Sequence, residues 1–302
     1  MEGHVRRTPI HTATTLGKRA GVTLMLKAEQ LQRTGSFKVR GALNKIASLT
    51  DEERARGVIA VSAGNHAQGV ALAASIAGVK ATIVMASNAS ETKIAATRGY
   101  GAEVVLVEGG IGEAFAQVEQ LQAERGMTLV HPFNDPLIIA GQGTVGLEIV
   151  EDVPDVDAIV VGIGGGGLIS GVALAAKARK PGVKVYGVEP EGAAVMRRSW
   201  DAGAPQEMTP ETIADGLASP VAGDLTYRLT RELLDDIATV SEEEIIDALK
   251  ALLVYTKLYA EPSGAAPVAA ILSGRLPLDP GSNVVAVISG GNFDLDALKK
   301  IL

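Results

Sequence analysis

Three short stretches carry residues whose types and spacing suit chemistry: "TGSFKVRGA" (34–42), "SAGNHAQG" (62–69) and "GIGGGG" (162–167). The first sets Lys38 beside Phe37, between Gly35 and Gly41, in a chain with only 3% aromatic residues. Most lysines are solvated surface charges, and the rest of the chain has to overturn that reading for Lys38. The second puts a hydroxyl, an amide and an imidazole (Ser62, Asn65, His66) where an apolar run gives way to a helical pattern. Open α/β sheets bind ligands at such strand ends, although Ser62 or Asn65 would also serve as a plain helix cap. The third exposes four successive glycine amides (Gly164, Gly165, Gly166, Gly167) at a helix start, an anion cup suited to phosphate. Gly162, Gly164 and Gly167 also satisfy G-x-G-x-x-G, with Glu189 about twenty residues on, so a Rossmann-type nucleotide-binding protein is a rival reading. "SGGN" (289–292) and Glu261, ahead of "PSG", supply two more polar groups at element ends.

These groups need a scaffold that brings strand ends together. Apolar runs such as "GVIAV", "KATIVMA", "AEVVLV", "VDAIVVG", "VKVYGVEP" and "NVVAVI" alternate with helical patterns such as "AQGVALAASIAG" and "IGEAFAQVEQLQAERG". That alternation predicts βαβ units, and near-continuous apolar runs predict parallel strands covered on both faces. "MTLVHP" reads as a strand, and "EEEIIDALKALLVYTKLY" as one helix, started by a capping box of Ser241 and Glu244. Residues 200–225 read as an irregular polar segment. The expected organisation is a small α/β domain over 57–134 within a larger domain formed by 1–56 and 135–302.

Composition narrows the classes. At 302 residues, 47% hydrophobic and 21% charged, the chain is ordinary globular material with ample core. A formal net charge of -7 argues against a nucleic-acid or membrane-surface partner. Without cysteine there are no disulfides, cysteine nucleophiles or thiolate metal sites. No apolar leader or membrane-length run is present, so a cytoplasmic location is the expectation.

In order along nearly the whole chain, "TGSFKVRGA", "SAGNHAQGVA", "HPF…IAGQGT", "GGGGLISG", "ETIADG" and "SGGN" resemble the fold-type II pyridoxal-phosphate enzymes, and among them the threonine/serine dehydratases and serine racemases. The resemblance implies a tryptophan synthase β-like fold of two doubly wound α/β domains with mostly parallel sheets. It implies that Lys38 holds pyridoxal 5'-phosphate through a Schiff base and acts as catalytic base, with Ser62 as a second catalytic group. Phe37 would pack on the pyridine ring, Asn65 would bond the 3-oxygen, and Gly164–Gly167 would hold the phosphate. Ser289 would face the pyridine nitrogen, and Glu261 is a further expected cofactor contact. Ser62, Ala63, Gly64, Asn65 and His66 would grip the substrate carboxylate. Racemase relatives carry a serine where this chain has Ala63, and a methyl group cannot deliver a proton to the second face of Cα, so the resemblance favours elimination over racemisation. Some relatives hold a divalent cation through an acidic pair near "VEP"; here Glu189 is one member and Val195 stands at the other, a carboxylate-poor site for a hard cation. A small amino-acid substrate and a homodimer or homotetramer are the implied partners. The sequence runs about ten residues past "SGGN", so the expectation is a short form without a C-terminal regulatory domain.

Overall fold

The computed structural model describes residues 3–301 and holds the expected alternation of strand and helix. The chain opens with β1 (Ile10–Thr12), α1 (Thr14–Ala20) and β2 (Thr23–Ala28). There follow α2 (Lys38–Ala47), α3 (Asp51–Arg56), β3 (Val58–Val61), α4 (Asn65–Ala77), β4 (Ala81–Ala86), α5 (Glu91–Gly99), β5 (Glu103–Val107), α6 (Ile111–Arg125), β6 (Thr128–Leu129) and α7 (Pro136–Asp152). The remainder comprises β7 (Ala158–Gly162), α8 (Gly167–Arg179), β8 (Lys184–Pro190), α9 (Val195–Ala202), α10 (Asp224–Leu233), β9 (Asp236–Val240), α11 (Glu242–Ala251), α12 (Pro262–Leu272), β10 (Asn283–Ile288) and α13 (Leu295–Ile301).

Two units result. The smaller comprises Met1–Arg6 and Lys38–Gly141, the larger Arg7–Phe37 and Gln142–Leu302. The smaller unit therefore takes in α2, α3 and the start of α7, which the sequence reading assigned to the larger domain. Packing explains the difference. A Cβ on Gly69 of α4 would lie 3.1 Å from the Lys38 Cβ, so only glycine lets α2 and α4 approach this closely. Asn44 donates to the Leu137 carbonyl at 2.7 Å, and Lys45 pairs with Asp135 at 2.7 Å, which ties α2 to the head of α7.

The smaller unit's sheet runs β5-β4-β3-β6, parallel throughout. Its edge strand β5 is only part-buried, unlike the fully buried β3, because one side has no neighbouring strand. The larger unit's sheet runs β1-β2-β10-β7-β8-β9, and only β1 is antiparallel to its neighbour. Alternate residues of its central strands feed separate cores. Val160, Val284, Ala286 and Ile288 face one, and Ile159, Val161, Val285 and Val287 the other. Burying each Val or Ile side chain contributes about 1.5–3 kcal/mol, which is why these strands read as continuous apolar runs.

Two elements depart from expectation. β6 is only two residues long. The predicted single helix over 242–259 is α-helical only to Ala251. It continues as a π-turn over Leu252–Thr256 and stops at Lys257, whose φ of 60° is left-handed. Its start is as read, with Ser241 and Glu244 forming the reciprocal capping box.

Candidate active site

In the larger unit the candidate residues gather at the carboxyl ends of two adjacent parallel strands. β7 runs into the glycine loop and β10 into Ser289. Gly166 is the N-cap of α8, with φ of 88° and no side chain of its own to cap the helix, an arrangement suited to an anionic ligand at the first-turn amides. A Cβ on Gly166 would fall 2.9 Å from the Thr226 Cβ and 3.0 Å from the Met196 Cε, which restricts the position to glycine on two counts. The Thr226 hydroxyl, fully buried, donates to the Gly165 carbonyl at 2.7 Å and so props the loop from below. Ser289 is buried, and its carbonyl accepts the Phe37 amide at 3.1 Å. Ser36 and Gly290 form an isolated bridge beside it. The Glu261 amide donates to the Gly290 carbonyl at 3.1 Å, while the Glu261 Oε2 accepts the Asn292 amide at 3.2 Å. Phe37, Ser289, Glu261 and the glycine loop thus belong to one end of one sheet. Buried hydroxyls of Ser36 and Ser263 in the same region have no hydrogen-bond partner among the described residues.

In the smaller unit the same topology repeats. β3 and β6 are adjacent and parallel, and the Ser62–His66 loop and the "HPF" loop follow their carboxyl ends. The N-cap of α4 is Gly64, without a side-chain cap, so neither Ser62 nor Asn65 does the simple capping that the sequence left open. Ser62 Oγ instead accepts the Gly64 amide at 3.1 Å, folding the loop on itself. Ser62, Ala63, Gly64 and Asn65 are part-exposed, and His66 is buried. The His66 Nε2 donates to the Val130 carbonyl at 2.8 Å, and burial followed by the charge of Lys38 pushes its pKa down to about 3. Its side chain is therefore a structural tie, and any contribution to an anion grip comes from its main chain. Lys38 opens α2, half-buried, with Nζ donating to the Pro132 carbonyl at 2.9 Å.

Glu189, at the end of β8, is fully buried, and its two oxygens accept the Met196 and Arg197 amides at 2.8 Å each. It caps α9. Burial pushes its pKa up to about 8 against the pull of those amides. A carboxylate so engaged cannot hold a ribose, which removes the nucleotide reading of "GIGGGG". No group of three or more His, Cys, Asp or Glu suited to a metal occurs among the described residues.

Residues 1–290 match the family described as "Pyridoxal-phosphate dependent enzyme". The chain belongs to that family. It is 50% identical over 303 residues to the L-threonine ammonia-lyase of Thermotoga maritima, covering 100% of this chain and 75% of that one. Among solved structures it is similar to the processed form of threonine deaminase isoform 2 from Solanum lycopersicum (39% identity, TM-score 0.95, 99% of this chain and 88% of that one). It is also similar to maize serine racemase (41% identity, TM-score 0.95, 98% and 92% respectively). The fold is that of the fold-type II pyridoxal-phosphate enzymes, and the cofactor is pyridoxal phosphate. The uncapped α8 terminus, the Cβ-free cradle at Gly166 and the unpartnered Ser36 and Ser263 hydroxyls fit a phosphorylated ring at that end of the sheet.

Sequence reasoning passed over three groups. Thr226 sits in the polar stretch beyond "ETIADG", where nothing local signals that a hydroxyl will prop a loop sixty-one residues away. Pro132 acts through its carbonyl, which no side-chain pattern reports. His131 lay within a quoted motif, and a histidine two residues ahead of two loop amides is a recognisable side-chain-to-backbone turn signal.

Proposed function

We propose that this enzyme is an L-threonine/L-serine dehydratase, an ammonia-lyase converting threonine to 2-oxobutanoate and ammonia, and serine to pyruvate and ammonia. The observation that carries the assignment of roles is the 3.1 Å bond from the Phe37 amide to the Ser289 carbonyl, which fixes the residue preceding Lys38 beside the hydroxyl expected at the pyridine nitrogen. The 50% identity to an L-threonine ammonia-lyase supports the same reaction.

When bound, pyridoxal phosphate supplies the electron sink that lets the Cα–H and Cβ–O bonds of an amino acid break. The chain's residues position and exchange protons. Gly164–Gly167 present main-chain amides and the α8 dipole to the phosphate. Phe37 packs on the ring, Asn65 donates to its 3-oxygen, and Glu261 orders the Gly290–Asn292 turn beside it. Ser289, neutral and a poor acid, would leave the pyridine nitrogen unprotonated and offers it no charged partner. The amides of Gly64 and of the first turn of α4, with the Ser62 hydroxyl, hold the substrate carboxylate. Lys38 Nζ holds the cofactor between turnovers and removes the Cα proton during them. The larger unit acts as the cofactor-binding domain, and the enzyme works as a homo-oligomer in the cytoplasm. No helix among the described residues is long and apolar enough to cross a membrane.

Lys38→Ala tests the assignment. Folding should be intact by circular dichroism, and 2-oxo acid release from threonine and serine should fall by several orders of magnitude. Near-normal turnover in the folded variant would remove Lys38 from the mechanism. A racemase reading has no support at Ala63, which carries no hydroxyl to reach the second face of Cα.

A further inference from the structure

The loop that follows β6 contains a set of contacts that the reaction as described does not use. His131 Nδ1 lies 2.8 Å from the Asn134 amide and 3.2 Å from the Phe133 amide. Amides only donate, so Nδ1 is an unprotonated acceptor and the ring carries its proton on Nε2. Phe133 stands edge-on to the imidazole, 4.7 Å between centroids at 89°, holding the ring in that orientation. Between these residues is Pro132, whose carbonyl accepts Lys38 Nζ at 2.9 Å. The charged and titratable groups acting on the ring are Lys38, which opposes its protonation, and Asp135, which favours it. Asp135 is itself held by Lys45 and by the Leu137 amide at the head of α7. Across the same unit, His66 on α4 is tied to the Val130 carbonyl, immediately before the loop.

We propose that His131 is a positioning residue for Lys38: as a neutral Nε2–H imidazole accepting the Phe133 and Asn134 amides, it fixes the Pro132 carbonyl that accepts the Lys38 amine and so positions that amine for joining the cofactor. The proposal rests on Lys38 being the cofactor lysine. The contact places the Pro132 carbonyl within hydrogen-bond reach of Nζ. On the proposed reading, Nζ would join the cofactor from this place. A carbonyl held rigidly in reach spares the long side chain a search through its rotamers before that step. Histidine does here what Asn or Asp does in an Asx turn, accepting amides two and three residues on.

Two measurements on the whole protein test this. With ring-15N-labelled histidine, long-range 15N–1H NMR of the wild type should show His131 as the neutral Nε2–H tautomer from about pH 6 to about pH 8. An Nδ1–H tautomer or a protonated ring in that range overturns the proposal, whatever the variants do. Second, stopped-flow mixing of apoenzyme with pyridoxal phosphate follows the visible band that forms as Nζ joins the aldehyde carbon and water leaves. His131→Ala and His131→Phe should slow that step about ten- to a hundredfold, while His131→Asn, which keeps an acceptor for both amides, should stay within about threefold of wild type. Noncovalent cofactor affinity, measured in a Lys38→Ala background, should be unmoved by His131→Ala. Wild-type attachment rates in His131→Ala and His131→Phe, or an Asn variant as slow as Ala, overturn the proposal. Borohydride reduction of the wild type with peptide mapping separates the two layers: a label on any lysine other than Lys38 defeats the underlying functional reading, not the loop geometry.

Discussion

At the scale of single residues, Lys38, Phe37, Asn65, Ser289 and the four glycines each sit in a short motif that the structure places at an element boundary. What the motifs could not convey is which side chains are already committed. His66 and Glu189 read as available groups, yet one is spent on the Val130 carbonyl and the other on the α9 amides. Such commitments are long-range in sequence and leave no local pattern. The residue with the clearest chemical consequence is Ala63. Ala63→Ser places a hydroxyl in the loop that ends β3, where the resemblance to racemases puts an acid on the face opposite Lys38. The wild type should give 2-oxo acid with little D-serine. The variant should add measurable D-serine and solvent deuterium at Cα, at a rate that a misplacement of about 1 Å would cut a hundredfold. Chiral chromatography of recovered serine checks it, and substantial D-serine from the wild type would show that some other group serves that face.

At the scale of elements, the alternation of strands and helices was readable from hydrophobic runs and caps, whereas the π-turn after α11 and the two-residue β6 were not. Both depend on tertiary packing rather than on propensity. On the proposed reading, the glycine loop is the element that holds the cofactor phosphate. Gly166→Ala demands a left-handed conformation that costs a non-glycine residue about 1–2 kcal/mol, besides the clash with Thr226 and Met196. Titration with pyridoxal phosphate should show weakened binding well before thermal melts show loss of the fold. Glu189 is the matching test for α9. Glu189→Ala removes the acceptor for two amides and should lower stability by about 1–3 kcal/mol, with Glu189→Gln, which keeps one acceptor, losing less. Urea unfolding of the three proteins decides it, and equal stability would mean that α9 needs no cap.

At the scale of the whole molecule, the parallel sheets were legible from continuous apolar runs, but the unit boundary was not. It depends on Gly69 admitting α2 against α4, a contact between residues thirty-one apart that no composition shift announces. A global property follows from the two neutral histidines. His66 and His131 have pKa values pushed down to about 3 and about 4, chiefly by burial and then by Lys38. Unfolded histidine titrates near 6.5, so in acid the unfolded chain binds protons that the fold refuses. Their contribution to stability is complete above about pH 6.5 and is lost as pH falls toward 4 and 3. Urea midpoints should therefore drop steadily from neutral pH to about pH 4. His66→Gln, which keeps a donor for the Val130 carbonyl without a titratable ring, should flatten part of that decline. An unchanged slope would place the acid sensitivity elsewhere.

The order of strands in the larger sheet carries a consequence for biosynthesis. β10 is the last strand to be made, yet it lies in the interior of the sheet between β2 and β7, and Ser289 follows it directly. Until residues 283–289 have been synthesised, β2 and β7 have no shared neighbour, and the turn that holds Phe37 does not exist. A nascent chain can complete the smaller unit's sheet early, because all four of its strands lie between 58 and 129. The β7–β10 end of the larger sheet cannot form until residues 283–289 have been translated. On the proposed reading, loading with pyridoxal phosphate would thus wait for β10, and a chain stopped short of β10 would lack Ser289 and the turn that holds Phe37.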